Sequence, residues 1–302
     1  MYKKTLLSLA IASTLTLTGC LENNKLEDEN AGETQTPFTP SGNIYPIFNP
    51  TLSILPIPND LIFDKTASDG TFEVPDTSPP VTTALNSLSG ASTTAPIDIA
   101  LSGLVDPDTV DGSALAIIGG NPAPNPNQSV FLLELEYASG NALQALSNSE
   151  PPNVISPTGI DYDAKAITLD GATTIRINPL KPLNPLSRYV VVITNKVLDE
   201  TGIPIVQSPG VGGYAVLTNE DTGIADPALS PLKDLINKLW EPAAAGYFNA
   251  ATNQTRTALS LDSLTADNIA LSYSFTTSAD RKVVNYIADP ASWFTDQLND
   301  FV

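Results

Sequence analysis

Short runs in which apolar and polar residues alternate dominate the middle of the chain. In the stretch SVFLLELEY, Glu134 and Glu136 fall on one face of an extended strand. The opposite face carries only apolar residues, namely Phe131, Leu133, Leu135 and Tyr137. This alternation predicts a strand with one buried face and one solvated face.

Four further stretches also predict strands. PIDIALSG places Ile97, Ile99 and Leu101 on one face, and TTIRINPL places Arg176 opposite its isoleucines. RYVVVITNKV is apolar on both faces, which predicts a central strand, and ALSYSFTT predicts another strand. GGNPAPNPNQ predicts an exposed loop. The fold class is therefore mainly β, and we expect an Ig-like, Greek-key β-sandwich.

Residues 226–266 break this pattern and predict a helical insertion between two strands. Apolar residues recur there at helical spacing, namely Leu229, Leu232, Leu235, Ile236, Leu239 and Trp240. Ser230 and Pro231 suit an N-cap and the first helical position, and Pro242 should end or kink the helix. A core-facing helix is the default for such a stripe, and docking on lipid or a partner domain is the alternative. A further helix is predicted near the C-terminus.

One spacing is more specific than these patterns. In LNPLSRY, Leu183, Pro185 and Tyr189 follow the L-x-P-x-x-x-Y arrangement of the tyrosine corner. In that motif of Greek-key sandwiches the tyrosine hydroxyl bonds back to the backbone before a core strand. The alternative is a tyrosine that begins a strand by chance, and in both cases the residue is structural.

The N-terminus has the order of a secretory leader. Lys3 and Lys4 precede an apolar run that is shorter than the roughly 20 residues of a membrane span. The run ends at Gly19 and Cys20, and Leu17-Thr18-Gly19-Cys20 resembles the bacterial lipobox. That resemblance implies cleavage between Gly19 and Cys20 and acylation of Cys20, which would anchor the chain in a bilayer. A soluble exported protein with a free thiol is the alternative.

We expect residues 1–19 to be the signal peptide and residues 20–43 to be a disordered, acidic tether. Leu21, rather than Asp, follows the cysteine, which by resemblance to lipoprotein sorting signals indicates the outer membrane. The net charge of −19 disfavours nucleic acid and anionic lipid as partners. The acyl chains, and not charge, would therefore hold the chain to the membrane.

Composition limits the chemistry of the chain. The sequence contains no histidine, which excludes a Ser-His-Asp triad, a Cys-His pair and His-ligated metals. No G-x-S-x-G motif is present, and Ser230 and Lys233 match S-x-x-K without its partner motifs. We therefore predict no catalytic residues and no resident cofactor.

The run VDPDTVDGS offers one weak metal candidate. Asp106, Asp108 and Asp111 precede Gly112, but the third acid is displaced by one position from the EF-hand pattern. A turn with solvated acids is the preferred interpretation, and calcium binding is the alternative.

Several stretches together resemble the N-terminal domain of bacterial virulence-factor lipases. They are FNPTLSILPIPNDLIF, DGTFEVP, ALNSLSGASTTAPIDIALSG, LVDPDTV, TTIRINPLKPLNPLSRYVVVITNKVLDETGIPI and YSFTT. The resemblance implies a surface lipoprotein of a Gram-negative bacterium that belongs to a lipase or lysophospholipase. It also implies that the lipase N-terminal domain covers residues 44–280 and that a helix or linker follows at 281–302.

The family's enzymes carry an α/β-hydrolase domain after this region, with a serine elbow and a histidine. None of those residues can be placed here, so we expect a catalytic domain that is missing from this chain, as in a fragment, a truncated product or a split gene. The expected function is a non-catalytic module that anchors and positions a hydrolase at the cell surface. The alternative is a stand-alone Ig-like adhesin or glycan-binding lipoprotein.

Overall fold

The computed structural model describes residues 43–62, 90–137, 153–155, 160–169, 171–218, 226–278, 287–291 and 294–295. These residues form nine strands: β1 Ile97–Ala100, β2 Leu115–Ile118, β3 Asn121–Pro124, β4 Val130–Glu136, β5 Asn153–Ile155, β6 Tyr162–Leu169, β7 Ala172–Pro179, β8 Arg188–Thr194 and β9 Ile269–Thr276. The strands make three antiparallel sheets, with orders β1-β7-β6, β2-β3 and β5-β4-β8-β9. The prediction of a mainly β fold is confirmed.

The four-stranded sheet is buried on both of its faces. Every residue of β8 and β9 is buried, and β8 lies between β4 and β9, so the prediction of a central strand is confirmed. The prediction of a solvated face on β4 is wrong at Glu134, which is only 6% exposed. That face is covered, and the side-chain amide of Asn184 donates to both oxygens of Glu134 at 3.0 Å.

The three-stranded sheet shares one hydrophobic core with the four-stranded sheet. Its inward side chains alternate along β1 and β7 and are fully buried, namely Ile97, Ile99, Ile175 and Ile177. Between them, Asp98 and Arg176 are directly opposite in register, and the guanidinium donates to both carboxylate oxygens at 2.7 and 2.6 Å. The predicted alternation of β7 is therefore confirmed.

Tyr162, at the start of β6, connects the two sheets. Its hydroxyl accepts from the Leu132 N–H at 3.1 Å and from the Gln128 amide at 2.9 Å, and it donates to the Val130 carbonyl at 3.2 Å. β5 pairs with β4 only at residues 134–136, so this hydroxyl satisfies backbone groups of β4 that no strand reaches. All of these partners are buried.

The stretch that was predicted as an exposed loop instead forms a ribbon. β2 and β3 pair as a hairpin whose two-residue turn is Gly119-Gly120. Both glycines have positive φ, at 59° and 85°, which a tight hairpin turn requires and which glycine adopts without steric cost. The prediction failed because the prolines of β3 lack N–H donors and normally argue against a strand.

The helical insertion is confirmed, and it is continuous from Pro227 to Ala258. Its segments are Pro227–Leu229, Ser230–Leu235, Ile236–Trp240, Glu241–Tyr247, Phe248–Thr252 and Asn253–Ala258, of which the third and fifth are wide π turns. The helix does not end at Pro242, because the π turn just before it accommodates a ring without an N–H. Other short helical elements are Pro50–Leu52, Asp60–Ile62, Pro107–Thr109, Tyr214–Thr218 and Ala266–Asn268.

The predicted N-cap at Ser230 is wrong. Ser230 already has helical backbone angles, and the cap lies one turn earlier, where the Asp226 side chain accepts from the Ala228 N–H at 2.9 Å. Asp226-Pro227 repeats the pattern of Ser230-Pro231, and the earlier pair begins the helix.

The apolar stripe of the insertion faces the core. Leu232, Ile236, Leu239 and Trp240 are buried, and Leu229 and Leu235 pack against the same cluster. The core interpretation is confirmed, and docking of this stripe on lipid is excluded because its side chains are already covered. Short helical stretches at 287–288, 290–291 and 294–295 agree with the predicted C-terminal helix.

We predict that Tyr162→Phe lowers the free energy of unfolding by about 1–3 kcal/mol, because it leaves the buried Leu132 N–H without its side-chain acceptor and removes the closest acceptor of the Gln128 amide. Urea denaturation followed by circular dichroism measures the change. Tyr273→Phe is the matched control, since its hydroxyl is buried and has no hydrogen-bond partner in the described part of the chain. An equal loss in both variants would contradict the bridging role of the Tyr162 hydroxyl.

Candidate functional site

Three buried hydroxyl groups line one face of β9. Ser272, Ser274 and Thr276 alternate with aromatic residues, and each is at most 2% exposed. Hydroxyl groups buried away from water require hydrogen-bond partners. Each of the three finds its partner in another part of the chain, and we call these hydroxyls and their partners the buried polar row.

The first part of the buried polar row reaches the helical insertion. The Tyr214 hydroxyl lies 2.6 Å from the Ser272 hydroxyl and donates to the Glu241 carboxylate at 3.0 Å. Burial raises the pKa of Glu241 to about 7, because the charged form loses hydration. Burial and the neighbouring Glu241 carboxylate also raise the pKa of Tyr214. Glu241 thus keeps its proton to a higher pH than an exposed glutamate does.

The second part of the row holds residues 43–62, which we call the N-terminal segment. The Asp60 carboxylate accepts from the Ser274 hydroxyl at 2.7 Å and lies 3.2 Å from Nε of Arg188. The same Nε donates to the Thr276 hydroxyl at 3.3 Å, and the guanidinium lies 5.9 Å from the centre of the Tyr137 ring. The Arg188 side chain is fully buried, so its charge depends on Asp60 for compensation.

The buried polar row joins five segments: the N-terminal segment, β8, the short helix Tyr214–Thr218, the helical insertion and β9. Its side chains are at most 9% exposed. They contact one another rather than solvent, and the row contains no imidazole because the chain has none. The arrangement is therefore suited to fixing the insertion and the N-terminal segment against the sheet.

The pattern of ALSYSFTT predicted a strand, but the buried polar row was not predicted. The available signal was a period-2 series of Ser and Thr residues within an otherwise apolar strand, which indicates a polar stripe on one face. Arg188, at the start of a strand that is apolar on both faces, was a second signal. Asp60 and Glu241 carried no local signal, because only the fold brings them to β9.

The residues of the predicted tyrosine corner do come together. The Tyr189 hydroxyl accepts from the Asn184 N–H at 2.9 Å, between Leu183 and Pro185 in sequence. Tyr189 is 1% exposed and its ring stacks on Phe275 at 5.5 Å. Burial and the Glu134 carboxylate, which lies opposite in register, raise the pKa of Tyr189. The contact ties the loop before β8 to the sheet.

The candidate calcium residues make contacts typical of turns. The Asp106 side chain caps the helical turn Pro107–Thr109 by accepting from the Asp108 N–H at 3.0 Å. Asp111 accepts from the Ser113 N–H and from the Asn125 amide, each at 2.8 Å. Among the described residues, no group of three or more His, Cys, Asp or Glu side chains is arranged to hold a metal ion.

The predicted lipidation and cleavage residues, Cys20 and Gly19, lie outside the described residues, as does most of the predicted tether. Within the part of the chain that the structure describes, no helix is both long enough and apolar enough to cross a bilayer.

Comparison with known proteins identifies one family. The model of the family described as "Bacterial virulence factor lipase N-terminal" matches residues 32–257. The matched range includes β1 to β8 and nearly all of the helical insertion, and it ends before β9. No curated protein and no solved structure matches the chain.

We predict that the free energy of unfolding falls as the pH rises from 4.5 to about 7, the range between the ordinary pKa of a glutamate and the raised pKa of Glu241. An unfolded carboxyl ionises near its ordinary pKa of 4.5, whereas Glu241 keeps its proton in the folded state up to about pH 7. The unfolded state therefore releases its proton first, and the free energy of unfolding decreases across this range, by about 3 kcal/mol for this one group. Urea denaturation at a series of pH values measures the slope.

Glu241→Gln should flatten that slope while it keeps an acceptor for the Tyr214 hydroxyl. Glu136→Gln is the matched control, because it removes the same charge from an exposed position on β4. If Glu136→Gln flattened the slope as much as Glu241→Gln, the pH dependence would reflect net charge and not the buried carboxyl.

Proposed function

The chain belongs to the bacterial virulence factor lipase N-terminal family, and on that basis we propose that it is the non-catalytic, membrane-anchored module of an extracellular lipase or lysophospholipase. Its role is to hold a hydrolase domain at the cell surface and to set the position of that domain. The family match is the observation that carries this proposal.

Two features of the chain support a positioning role. Acyl transfer by a serine hydrolase uses an imidazole as the general base, and the sequence contains no histidine. The buried polar row and the doubly covered sheet make a rigid body, which is what a positioning module requires. The catalytic residues would then come from a separate α/β-hydrolase domain.

The anchor that we propose is the acylated Cys20. Two or three acyl chains hold a protein stably on a bilayer, whereas one chain binds only marginally. Residues 20–43 would serve as a tether with a span of roughly 25–30 Å, from about 5–6 Å times the square root of the residue number. In this proposal the folded module lies outside the outer membrane, within that distance of the lipid surface.

We also propose an Ig-like, Greek-key arrangement for the two larger sheets. The chain leaves the four-stranded sheet after β5, forms β6 and β7 in the three-stranded sheet and then returns at β8. The Tyr189 contact before β8 is of the kind that Greek-key sandwiches use at such a crossing.

We predict that Cys20→Ser abolishes incorporation of labelled palmitate and removes the protein from the outer-membrane fraction of a density gradient. The serine hydroxyl cannot form the thioether on which the acyl anchor depends. Asn23→Ser, three positions away, is the control and should stay labelled and in the outer membrane. Labelling of the Cys20→Ser protein, or its persistence in the outer-membrane fraction, would refute acylation at this residue.

We further predict that the purified chain releases nitrophenol from nitrophenyl butyrate and nitrophenyl palmitate no faster than buffer does. A spectrophotometric assay at neutral pH, with a known lipase as positive control, makes the measurement. Turnover that co-purifies with the folded chain through two chromatographic steps would exclude a purely positioning role.

A further inference from the structure

The β2–β3 ribbon projects from the body of the protein. A Cβ atom added at Gly119 or Gly120 would meet no described atom within 4 Å. The base of the ribbon, in contrast, is held firmly. The Asn125 amide donates to Asp111 and to the Ser113 carbonyl at 2.8 and 2.9 Å, and the buried Arg256 donates to the Pro126 carbonyl. The ribbon is thus a hairpin whose base is hydrogen-bonded to the body of the protein and whose turn is exposed.

The ribbon is uncharged in a strongly acidic protein. Residues 112–133 contain no charged side chain, whereas the whole chain has a net charge of −19. Ile117 is 73% exposed and Leu115 is 47% exposed, and they lie opposite Pro122 and Pro124 in register. These four residues form one apolar face, since directly opposite residues of an antiparallel pair share a face.

The outer edge of β3 offers no N–H donors at its prolines. The Asn125 N–H donates to the Ala114 carbonyl at 3.0 Å, which sets the alternation of the ladder. By that alternation, the backbones of Pro122 and Pro124 point away from β2, where a free strand edge would normally donate. An added strand therefore finds no donors along β3, and the apolar face is a feature on this side of the ribbon that a partner can recognise.

We propose that the β2–β3 ribbon inserts its apolar face and tip into the surface of a neutral, zwitterionic lipid assembly. A convex apolar tip enters a fluid surface without a shaped counterpart, whereas a protein partner would need a groove. The acidic body would be repelled by anionic head groups, which selects neutral lipid. The prolines lessen the number of backbone donors that must leave water. The proposal rests on the proposed function, because it assigns the surface that orients the module toward lipid.

Flotation of the full mature chain with phosphatidylcholine vesicles tests this proposal. The protein used in this assay carries the substitution Cys20→Ser, so that no acyl chain contributes to vesicle binding. The result is therefore independent of the proposed lipid anchor. We expect binding to phosphatidylcholine vesicles and weaker binding when phosphatidylglycerol is included. Ile117→Asp should reduce the partition coefficient at least about tenfold, because a carboxylate does not enter the apolar layer.

Val211→Asp is the matched control, since Val211 is 72% exposed and lies elsewhere on the surface. It adds the same charge and should leave the partition coefficient unchanged. Absence of binding by the parent chain, or equal losses in the two variants, would overturn the proposal. It would also be overturned if Ile117→Asp dissociated a dimer in sedimentation analysis and left vesicle binding intact, which would make the ribbon a self-association surface. Failure of acylation at Cys20 would instead affect only the proposed anchor.

Discussion

Burial of the four-stranded sheet on both faces is the constraint on which the rest of the structure depends. One face of the sheet packs on the three-stranded sheet, and Phe131 on the other face contacts Tyr247 and Phe248 of the helical insertion at 6.0 and 4.9 Å. Once both faces are dry, a polar side chain on the sheet requires an internal partner or costs stability, as at the Tyr273 hydroxyl, which has none among the described residues. The pairing of Glu134 with Asn184 and the buried polar row are the two responses to that requirement.

The sequence predicted those features that depend on local periodicity. The stretch RYVVVITNKV was identified as a central strand because both of its faces are apolar, and the insertion was identified by its helical spacing. Glu134 was predicted to face solvent because the alternation of residues shows which side chains share a face of the strand. It does not show whether another part of the chain covers that face. Asn184, which covers it, lies 50 residues away in sequence. The ribbon was missed because prolines disfavour strands locally, although they are tolerated where their nitrogens face outward.

The same limit explains which parts of the candidate site could be predicted. The Ser and Thr periodicity of β9 lies within one strand, and so it was available from sequence alone. Glu241, Tyr214, Asp60 and Arg188 meet that strand only through the tertiary fold, and no motif connects them. The range that the family shares ends at residue 257, yet β9 completes the sheet beside β8 and supplies the three hydroxyls. The four-stranded sheet therefore includes a strand that lies outside the matched range.

The span of the contact between Asp60 and Ser274 has a consequence for biogenesis. The two residues are 214 positions apart in sequence. Closing so long a loop is slow, and it cannot begin until β9 itself has emerged. A polypeptide threaded through an export channel from its N-terminus would thus remain open, and accessible to chaperones and proteases, for nearly its entire passage. Completion of the four-stranded sheet would then wait for the emergence of β9.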